Sequence, residues 1–376
     1  MPFISRGGAD LISTFLFRAY QGALGKENVV MLVTDKPSVE VPGWLDDGSQ
    51  VICLDDECSF SDDEEKLVAL HTCIGRIAPE KIVNVNSHLT WRLFERHGVQ
   101  LSTVSDLYAF LFCFDYDKQR KRVGYITDYL PSTVGCLKAA FFDNAHIVDE
   151  IRNIYGFSSQ QMQKLHTVYV PAADGLKRTD YSSFKGRDKI LWVGRLSLQK
   201  RPDILVEIAN ALPGQIFDVY GSPGNSSCSE MIVNGKIPNI NYRGVYSSLH
   251  ELDLSEYACY LNTSEWDGLP TIIIQMMALG LPIVSSDVCG ITELLNDNNG
   301  WLVSDFEDAS LYLTELRKVL IQKNVALEKT NAAYTDVMEL HQWKNFYKRL
   351  ESLNAFADYA AEPRISASFK DRRKSA

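Results

Sequence analysis

The stretch Asp267–Pro282, DGLPTIIIQMMALGLP, decides how this chain is read. It opens on a carboxylate and a Gly-Leu-Pro turn, then runs apolar at helical length across one lone amide, Gln275. Pro270 falls where a first helical residue is favoured, because its missing N–H would go unpaired there in any case. Gly280-Leu281-Pro282 must stop the helix. The first-turn N–H groups of Thr271 to Ile273, approached through Gly268 and Leu269, are then free and make an anion site.

Working outward, the same alternation of apolar strand and amphipathic helix fills the second half. KILWVGR (189–195), IFDVYG (216–221), INYRGV (240–245), CYLNTS (259–264), LPIVSSD (281–287) and GWLV (300–303) read as strands. RPDILVEIANAL (201–212), LHELDLSEYA (249–258) and GITELL (290–295) read as helices between them. In the first half, Asn28–Thr34, Gln50–Leu54, Lys81–Asn86, Leu107–Phe114 and Ala139–Asn144 are nearly continuous apolar runs. That is the pattern of strands covered on both faces. LISTFLFRAYQGAL (11–24) and EEKLVALHTCIGRI (64–77) carry helical spacing. Alternation of this kind implies parallel, doubly wound α/β sheets.

With 376 residues there is material for two domains of ordinary size. The polar, Gly-containing segment 168–188 reads as the connection. The expected organisation is a first domain at 1–172, a second at 188–340, a helix at 341–361 crossing back to the first domain, and a polar tail at 362–376. The Gly-Gly loop of SRGGAD (5–10) arrives after only a few residues. Either the strand that should feed it is very short, or Met1 lies inside a longer polypeptide, and the second is the expectation.

Composition excludes several classes. Apolar residues make up 45% and charged residues 23%, which fits a globular protein with an ample core. The net charge of −10 argues against nucleic acid as a partner while leaving room for a local basic pocket. The eight cysteines form no CxxC pair and no His-rich cluster, so they read as reduced thiols with no metal site. No signal peptide or membrane-spanning run stands out, so a cytoplasmic location with at most peripheral membrane contact is expected.

In a parallel sheet, ligands bind beyond the carboxyl ends of the strands. VGRLSLQKRP (193–202) places Arg195 and Lys200 there, a guanidinium fork and an ammonium point charge suited to a diphosphate. DVYGSPG (218–224) ends in glycines, Gly221 first, that let backbone approach a ligand closely. Asp267 sits badly beside a phosphate, so a neutral polar partner such as sugar hydroxyls is expected for it. Gln275 can pair with a ribose hydroxyl, the plainer alternative being an amide bonded to nearby backbone.

Taken together, GRLSLQKRPDIL (194–205), FDVYG (217–221), INYRGVYSSLHEL (240–252) and 264–295 resemble the nucleotide-binding half of retaining family 4, or group 1, glycosyltransferases. These have the GT-B fold, two Rossmann-like doubly wound domains facing across a cleft. The resemblance is strong over about 188–305 and weaker at SRGGAD and the final helix. It implies that Arg195 and Lys200 clamp the donor diphosphate and stabilise the leaving group. It implies that Gly7 and Gly8 reach across to the donor phosphate, and that Val245 and Tyr246 hold the base. Two family glutamates separated by seven residues fall on Asp267, near the donor sugar, and on Gln275, at the ribose. Asp keeps the charge on a shorter arm, and Gln keeps hydrogen bonding without charge.

The histidine that the family often carries on a first-domain strand tip is absent. CFDYD (113–117) puts Asp115 or Tyr116 in its place, with Asp128 close behind and His88 at another strand end, and each also reads as an ordinary strand-end polar residue. His146, His166 and His250 read as ordinary helix or loop residues.

The resemblance implies a metal-independent hexosyl- or deoxyhexosyltransferase without a cofactor. It would move a sugar with retention from a nucleotide-diphosphate donor to a glycan or lipid-linked acceptor, in bacterial surface polysaccharide assembly. The Asp and Gln replacements keep open a noncatalytic GT-B module serving as scaffold within a larger polypeptide. A sugar-nucleotide epimerase of this fold would carry more catalytic carboxylates and a histidine.

Overall fold

A computed structural model of the chain describes residues 1–356 except 36–39, 58–59, 174, 180–186, 247–248 and 250–251. The strands of the first half are β1 (Val30–Val33), β2 (Gln50–Cys53), β3 (Lys81–Val85), β4 (Asp106–Leu111), β5 (Asp115–Tyr116), β6 (Arg122–Val123), β7 (Ala139–Phe142) and β8 (Leu165–Thr167). β3-β4-β7-β8 form one parallel sheet, β1-β2 a separate parallel pair, and β5-β6 an antiparallel hairpin. The second half contributes β9 (Lys189–Val193), β10 (Ile216–Tyr220), β11 (Ile240–Gly244), β12 (Tyr257–Asn262), β13 (Ile283–Ser286) and β14 (Trp301–Val303). They make a parallel sheet in the order β11-β10-β9-β12-β13-β14.

The central strands are buried as their unbroken apolar sequences require. β12 is buried along its whole length, and β4 at every position after its first. Helices supply the cover, so each half has its own apolar cluster, around Trp91 and Phe142 in the first and Trp192 and Phe217 in the second. A third cluster runs through both halves, joining Phe15 and Tyr108 to Leu191 and Ile273.

The helix Trp343–Ser352 lies against the first half. Trp343 meets Phe15 edge-on at 5.1 Å, Arg18 sits over the Trp343 ring at 5.2 Å, and Arg349 Nε donates to Thr167 O at 2.9 Å. The tail expected from 362 lies outside the described residues.

Two local expectations change. Of the helix read at 249–258, the described residues show no α-helix, only 3-10 conformation at Leu249 and a 3-10 turn at Leu254–Glu256, before β12 begins at Tyr257. The Asp253 side chain accepts the Ser255 amide at 3.0 Å and caps that turn. Tyr257 is drawn into the sheet, its hydroxyl donating to buried Asp218 at 3.0 Å. Ahead of the Gly-Gly loop there is no full strand. Met1 and Pro2 lie along the end of β1, with Thr34 N donating to Met1 O at 2.9 Å and Asp35 N to Pro2 O at 2.8 Å.

Candidate active site

The site is built first from the loops after β9 and β12, which are tied together. Trp192 Nε1 donates to Thr263 Oγ1 at 3.0 Å, and Thr263 Oγ1 donates to Lys200 O at 2.7 Å. Gln199 Nε2 donates to Trp266 O at 3.0 Å and Glu265 N to Gln199 O at 2.8 Å. This lacing brings the Lys200 ammonium onto the Asp267 carboxylate, and both side chains are largely covered. Ser264 Oγ stands beside the pair, 3.3 Å from each of Lys200 Nζ and Asp267 Oδ2. Asp267 therefore has a cationic neighbour in addition to whatever neutral group it meets, a partner that the spacing alone did not reveal. Arg195 is exposed and makes no ion pair or side-chain hydrogen bond among the described residues.

The helix of the decisive stretch spans Thr271–Leu279 and ends on Gly280 at φ 77, the left-handed cap that glycine accepts. Pro270 holds the cap position, with φ −62 and ψ 115, one residue earlier than the N1 place expected for it. Its carbonyl accepts the Ile273 amide at 3.0 Å, so the expected anion site narrows to the amides of Thr271 and Ile272. Gln275 is only 6% exposed, yet its amide has no hydrogen-bond partner among the described residues. The backbone-bonded alternative is thus absent there. The amide is not among the fully buried unpartnered side-chain atoms, so solvent still reaches it and a ligand can take the place of that water.

From the other half, the Gly7–Gly8 turn reaches this helix. A Cβ placed on Gly8 would lie 3.0 Å from Thr271 Oγ1, so the missing side chain lets the turn close on the Thr271 hydroxyl. Asp10, in the first turn after it, accepts from Ser5 Oγ at 2.7 Å. Burial pushes the Asp10 carboxyl up to about 6, against the pull of Ser5 and of Arg195 across the gap.

The β5-β6 hairpin lies over the other side of Asp267. Tyr116 meets Trp266 edge-on at 5.3 Å, and Arg120 at the hairpin tip pairs with Glu265 at 2.9 Å and with Glu307. The Asp115 carboxyl is raised by desolvation among its neighbours and by the Asp267 charge, while the Trp266 indole and Arg195 oppose the rise. A small cavity of about 10 Å³ lies between the halves here, lined by Tyr116, His146, Asp267 and the two thiols Cys113 and Cys289. That is room for about one water.

Two carboxylates that the sequence reading did not single out join the halves. Asp143, at the end of β7, accepts the Leu269 amide at 3.0 Å and the Asn144 side-chain amide at 2.6 Å. It is buried, and burial holds its carboxyl well above the ordinary range, the Leu269 amide and Asn144 opposing and Asp267 and Glu293 adding to the rise. Glu293, on the short helix Ile291–Leu294, accepts from Ala145 N at 3.1 Å, His146 N at 2.6 Å and Tyr169 Oη at 2.8 Å. A strand-end carboxylate in AAFFDN was a signal available for Asp143. Nothing local to ITELL marks Glu293.

The remaining candidates sit as follows. Gly221 has φ 148, and a Cβ there would lie 1.8 Å from Gly194 O, so its smallness serves the approach of two strand-end backbones. Val245 is 42% exposed, and half-buried Tyr246 meets Tyr220 edge-on at 6.2 Å. His88 is exposed and lies 2.7 Å from Tyr129 Oη, while Asp128 accepts the Gly124 amide at 3.1 Å, a turn-closing role. His146 is exposed beside Glu150, and burial lowers the pKa of His166. His250 lies outside the described residues. Among the described residues no group of three or more His, Cys, Asp or Glu side chains could hold a metal ion.

Residues 187–320 match the family described as glycosyl transferases group 1. The chain is 29% identical over 157 residues to the GtfA subunit of a UDP-N-acetylglucosamine–peptide N-acetylglucosaminyltransferase from Streptococcus pneumoniae, covering 40% of this chain and 31% of that one. It is 30% identical over 120 residues to the O-antigen biosynthesis glycosyltransferase WbnH of Escherichia coli, covering 32% and 34%. The chain thus spans about a third of the length of these relatives. Among solved structures, Anabaena HepE in complex with UDP and glucose superposes with a TM-score of 0.75 at 13% identity, over 95% of this chain and 98% of that one. Sucrose-phosphate synthase from Thermosynechococcus elongatus gives 0.74 at 15% identity, over 94% of each chain. The fold is GT-B, and within it residues 187–320 match the group 1 glycosyltransferases.

Proposed function

We propose that this protein is a family 4 type glycosyltransferase. It would move a hexosyl or deoxyhexosyl group, with retention, from a nucleotide-diphosphate donor to a glycan or lipid-linked acceptor in bacterial surface polysaccharide assembly. The observation that carries this reading is the Lys200–Asp267 pair and the Gly8 backbone meeting the loop and helix start at Asp267–Thr271, with Arg195 close enough to act on Asp10 and Asp115. Two cations and a helix terminus at one point suit a departing diphosphate, whose charge grows as the sugar–oxygen bond breaks. Gln275, 6% exposed and without a hydrogen-bond partner among the described residues, lies on the same helix, and in this reading it meets the ribose. The names of the matched relatives, an O-antigen and a teichuronic acid glycosyltransferase among them, support the choice of pathway class.

The protein cations supply what a divalent ion would supply elsewhere, so turnover is expected to need neither metal nor cofactor. Among the described residues no helix is long and apolar enough to cross a membrane. A cytoplasmic site with at most peripheral membrane contact is part of the proposal, as is service within a larger assembly.

One observation favours the alternative of a noncatalytic scaffold module. The β5-β6 hairpin and Trp266 leave space for about one water beside Asp267. Transfer through this side of Asp267 therefore requires the hairpin to move aside. Thermal shift against UDP-, GDP- and dTDP-sugars, followed by donor hydrolysis with and without EDTA, tests both readings. A ligand at 100 times its dissociation constant adds about 2.7 kcal/mol. Donor binding with hydrolysis that survives EDTA supports the transferase, binding without hydrolysis supports the scaffold, and loss of turnover in EDTA overturns metal independence.

A further inference from the structure

The β5-β6 hairpin leaves the first half and ends against the second. Its base is fixed to the first half by covered contacts. Phe114 packs into the apolar cluster there, Arg122 lies over the Phe114 ring at 5.0 Å, and Arg122 pairs with Glu150. The loop between the two strands is held in shape from within. Asp117 N donates to Lys121 O at 3.0 Å, and the Asp117 carboxylate accepts the Gln119 and Lys121 amides at 2.9 Å each. An aspartate turn of this kind keeps the tip rigid.

The tip meets the second half through charge. Arg120 Nε pairs with Glu265 at 2.9 Å, and the same guanidinium pairs with Glu307. Arg201 faces both carboxylates, at 3.5 Å from Glu265 and 3.7 Å from Glu307. Both guanidinium groups lie over the Phe306 ring, Arg120 at 5.7 Å and Arg201 at 5.6 Å. Arg201 is further held by Asp203 at 2.7 Å. The Arg120 side chain is 55% exposed, whereas those of Arg201 and Glu265 are largely covered. Arg201 and Glu265 therefore form a seat that persists without the hairpin, and Arg120 is the removable part. Ion pairs as exposed as those of Arg120 are weak and are screened by salt.

Between base and tip, Tyr116 meets Trp266 and helps close the small cavity beside Asp267. We propose that the β5-β6 hairpin is a lid over Asp267, latched by Arg120 on the seat of Glu265, Arg201 and Glu307, and opening at its tip as a rigid piece. Opening costs two exposed ion pairs and the Tyr116–Trp266 contact. The Asp117 turn, Phe114 and the Arg122–Glu150 pair stay as they are. The lid controls what reaches Asp267 whichever donor the site takes, so it stands apart from the catalytic reading.

Two thiols under the lid, Cys113 and Cys289, report its motion, since both line that cavity. With the lid shut, the cavity leaves no room for a reagent larger than water. The test follows alkylation of both thiols by iodoacetamide in the full chain at one pH, peptide by peptide in a mass spectrometer. Cys228, which does not line the cavity, is the reference. Arg120→Ala should speed alkylation of Cys113 and Cys289 at least about fivefold, the weight of a few exposed ion pairs, and leave Cys228 unchanged. Arg120→Lys keeps the charge and should restore most of the protection. Lys118→Ala removes an exposed cation from the same tip and should match wild type. Raising salt from about 0.05 M to about 0.5 M should speed the wild-type reaction at least about threefold and that of Arg120→Ala hardly at all. Equal alkylation of Cys113 and Cys289 in wild type and Arg120→Ala would overturn the proposal. Acceleration that extends equally to Cys228 would also overturn it, as general loosening of the fold. So would the same acceleration in Lys118→Ala, or a salt effect that survives in Arg120→Ala.

Discussion

Asp143 Oδ2 accepts the Leu269 amide at 3.0 Å, so a carboxyl at the end of a first-half strand holds the loop that carries Asp267. Gly268 makes this possible, since a Cβ there would lie 2.9 Å from Asp143 Oδ2. The contact couples the halves at the point where the proposed chemistry occurs. Glu293 makes the reverse connection, from the second half to the start of the first-half helix Ala145–Ile154.

Removing Glu293 should therefore loosen the junction. Its carboxylate serves two helix-terminal amides and the Tyr169 hydroxyl, and a negative charge at a helix N-terminus is favourable. Glu293→Ala is expected to lose about 1–3 kcal/mol of stability, the cost of stranding such donors. Denaturant unfolding measures it. A loss below about 0.5 kcal/mol, the size of an ordinary surface change, would show that the junction is held elsewhere.

Gly221 is expected to be intolerant for a reason unconnected with any ligand. At φ 148, with Gly194 O 1.8 Å from the position of a Cβ, alanine forces two strand-end backbones apart. Gly221→Ala should destabilise by more than about 2 kcal/mol. Gly214→Ala, where nothing lies within 4 Å, is the control. Similar melting temperatures for the two variants would contradict the geometry.

Much of this was legible in the sequence, and for physical reasons. Unbroken apolar runs announced strands covered on both faces, and Gly280 and Pro270 marked the ends of the decisive helix to within a residue. Arg195 and Lys200 were singled out because strand ends in parallel sheets gather ligands, and Asp267 because it opens the decisive stretch and falls on the first family glutamate. The Lys200–Asp267 pairing was not legible, since it depends on the lacing of Thr263, Gln199 and Trp192 across two loops. Asp143 and Glu293 were missed because their partners are backbone amides far away in the chain. The hairpin over Asp267 was missed because strands of two residues leave no periodicity to read.

Asp10 gives a pH signature. Its folded carboxyl stands at about 6 against an ordinary 3.8, so the native state keeps the proton longer than the unfolded chain. Stability then falls as pH rises from about 4 to about 6 and levels off above that. Asp10→Asn removes the slope. The variant should gain on the wild type through this window, by up to about 3 kcal/mol. Urea unfolding at a series of pH values would show parallel curves if the carboxyl titrated normally.

The cations differ in their expected effects because only one is already paired. Arg195 has no partner among the described residues, so Arg195→Ala should cost donor binding or turnover about 1.5–3 kcal/mol without destabilising the fold. Lys200→Ala also strands Asp267 and should lower stability as well as donor affinity. Calorimetric titration with nucleotide, alongside melting curves, separates the two. Unchanged donor binding in both variants would remove the diphosphate clamp.

Asp267 and Gln275 should fail in different ways. Asp267 is held by Lys200 and Ser264 just outside the helix, and on the proposed reading it lies near the end of the donor where positive charge develops on the sugar. Gln275 lies within the helix, and on the proposed reading it meets a part of the donor whose charge does not change. Only interactions that strengthen in the transition state raise turnover, whereas uniform ones alter binding. Asp267→Asn should therefore lower turnover by at least about a hundredfold, the scale of losing one aimed electrostatic group. It also frees the Lys200 ammonium for the diphosphate, so nucleotide affinity should hold or rise slightly. Gln275→Ala should weaken donor binding with little change in turnover, because it deletes an amide that has no protein partner among the described residues. Gln275→Glu places a charge at a position that is 6% exposed. That variant should melt lower when free and recover on binding donor, where the ribose hydroxyls satisfy the carboxylate. Steady-state kinetics and nucleotide titration on the three variants measure all of this. Wild-type turnover in Asp267→Asn would sink its catalytic role and leave the scaffold reading in its place.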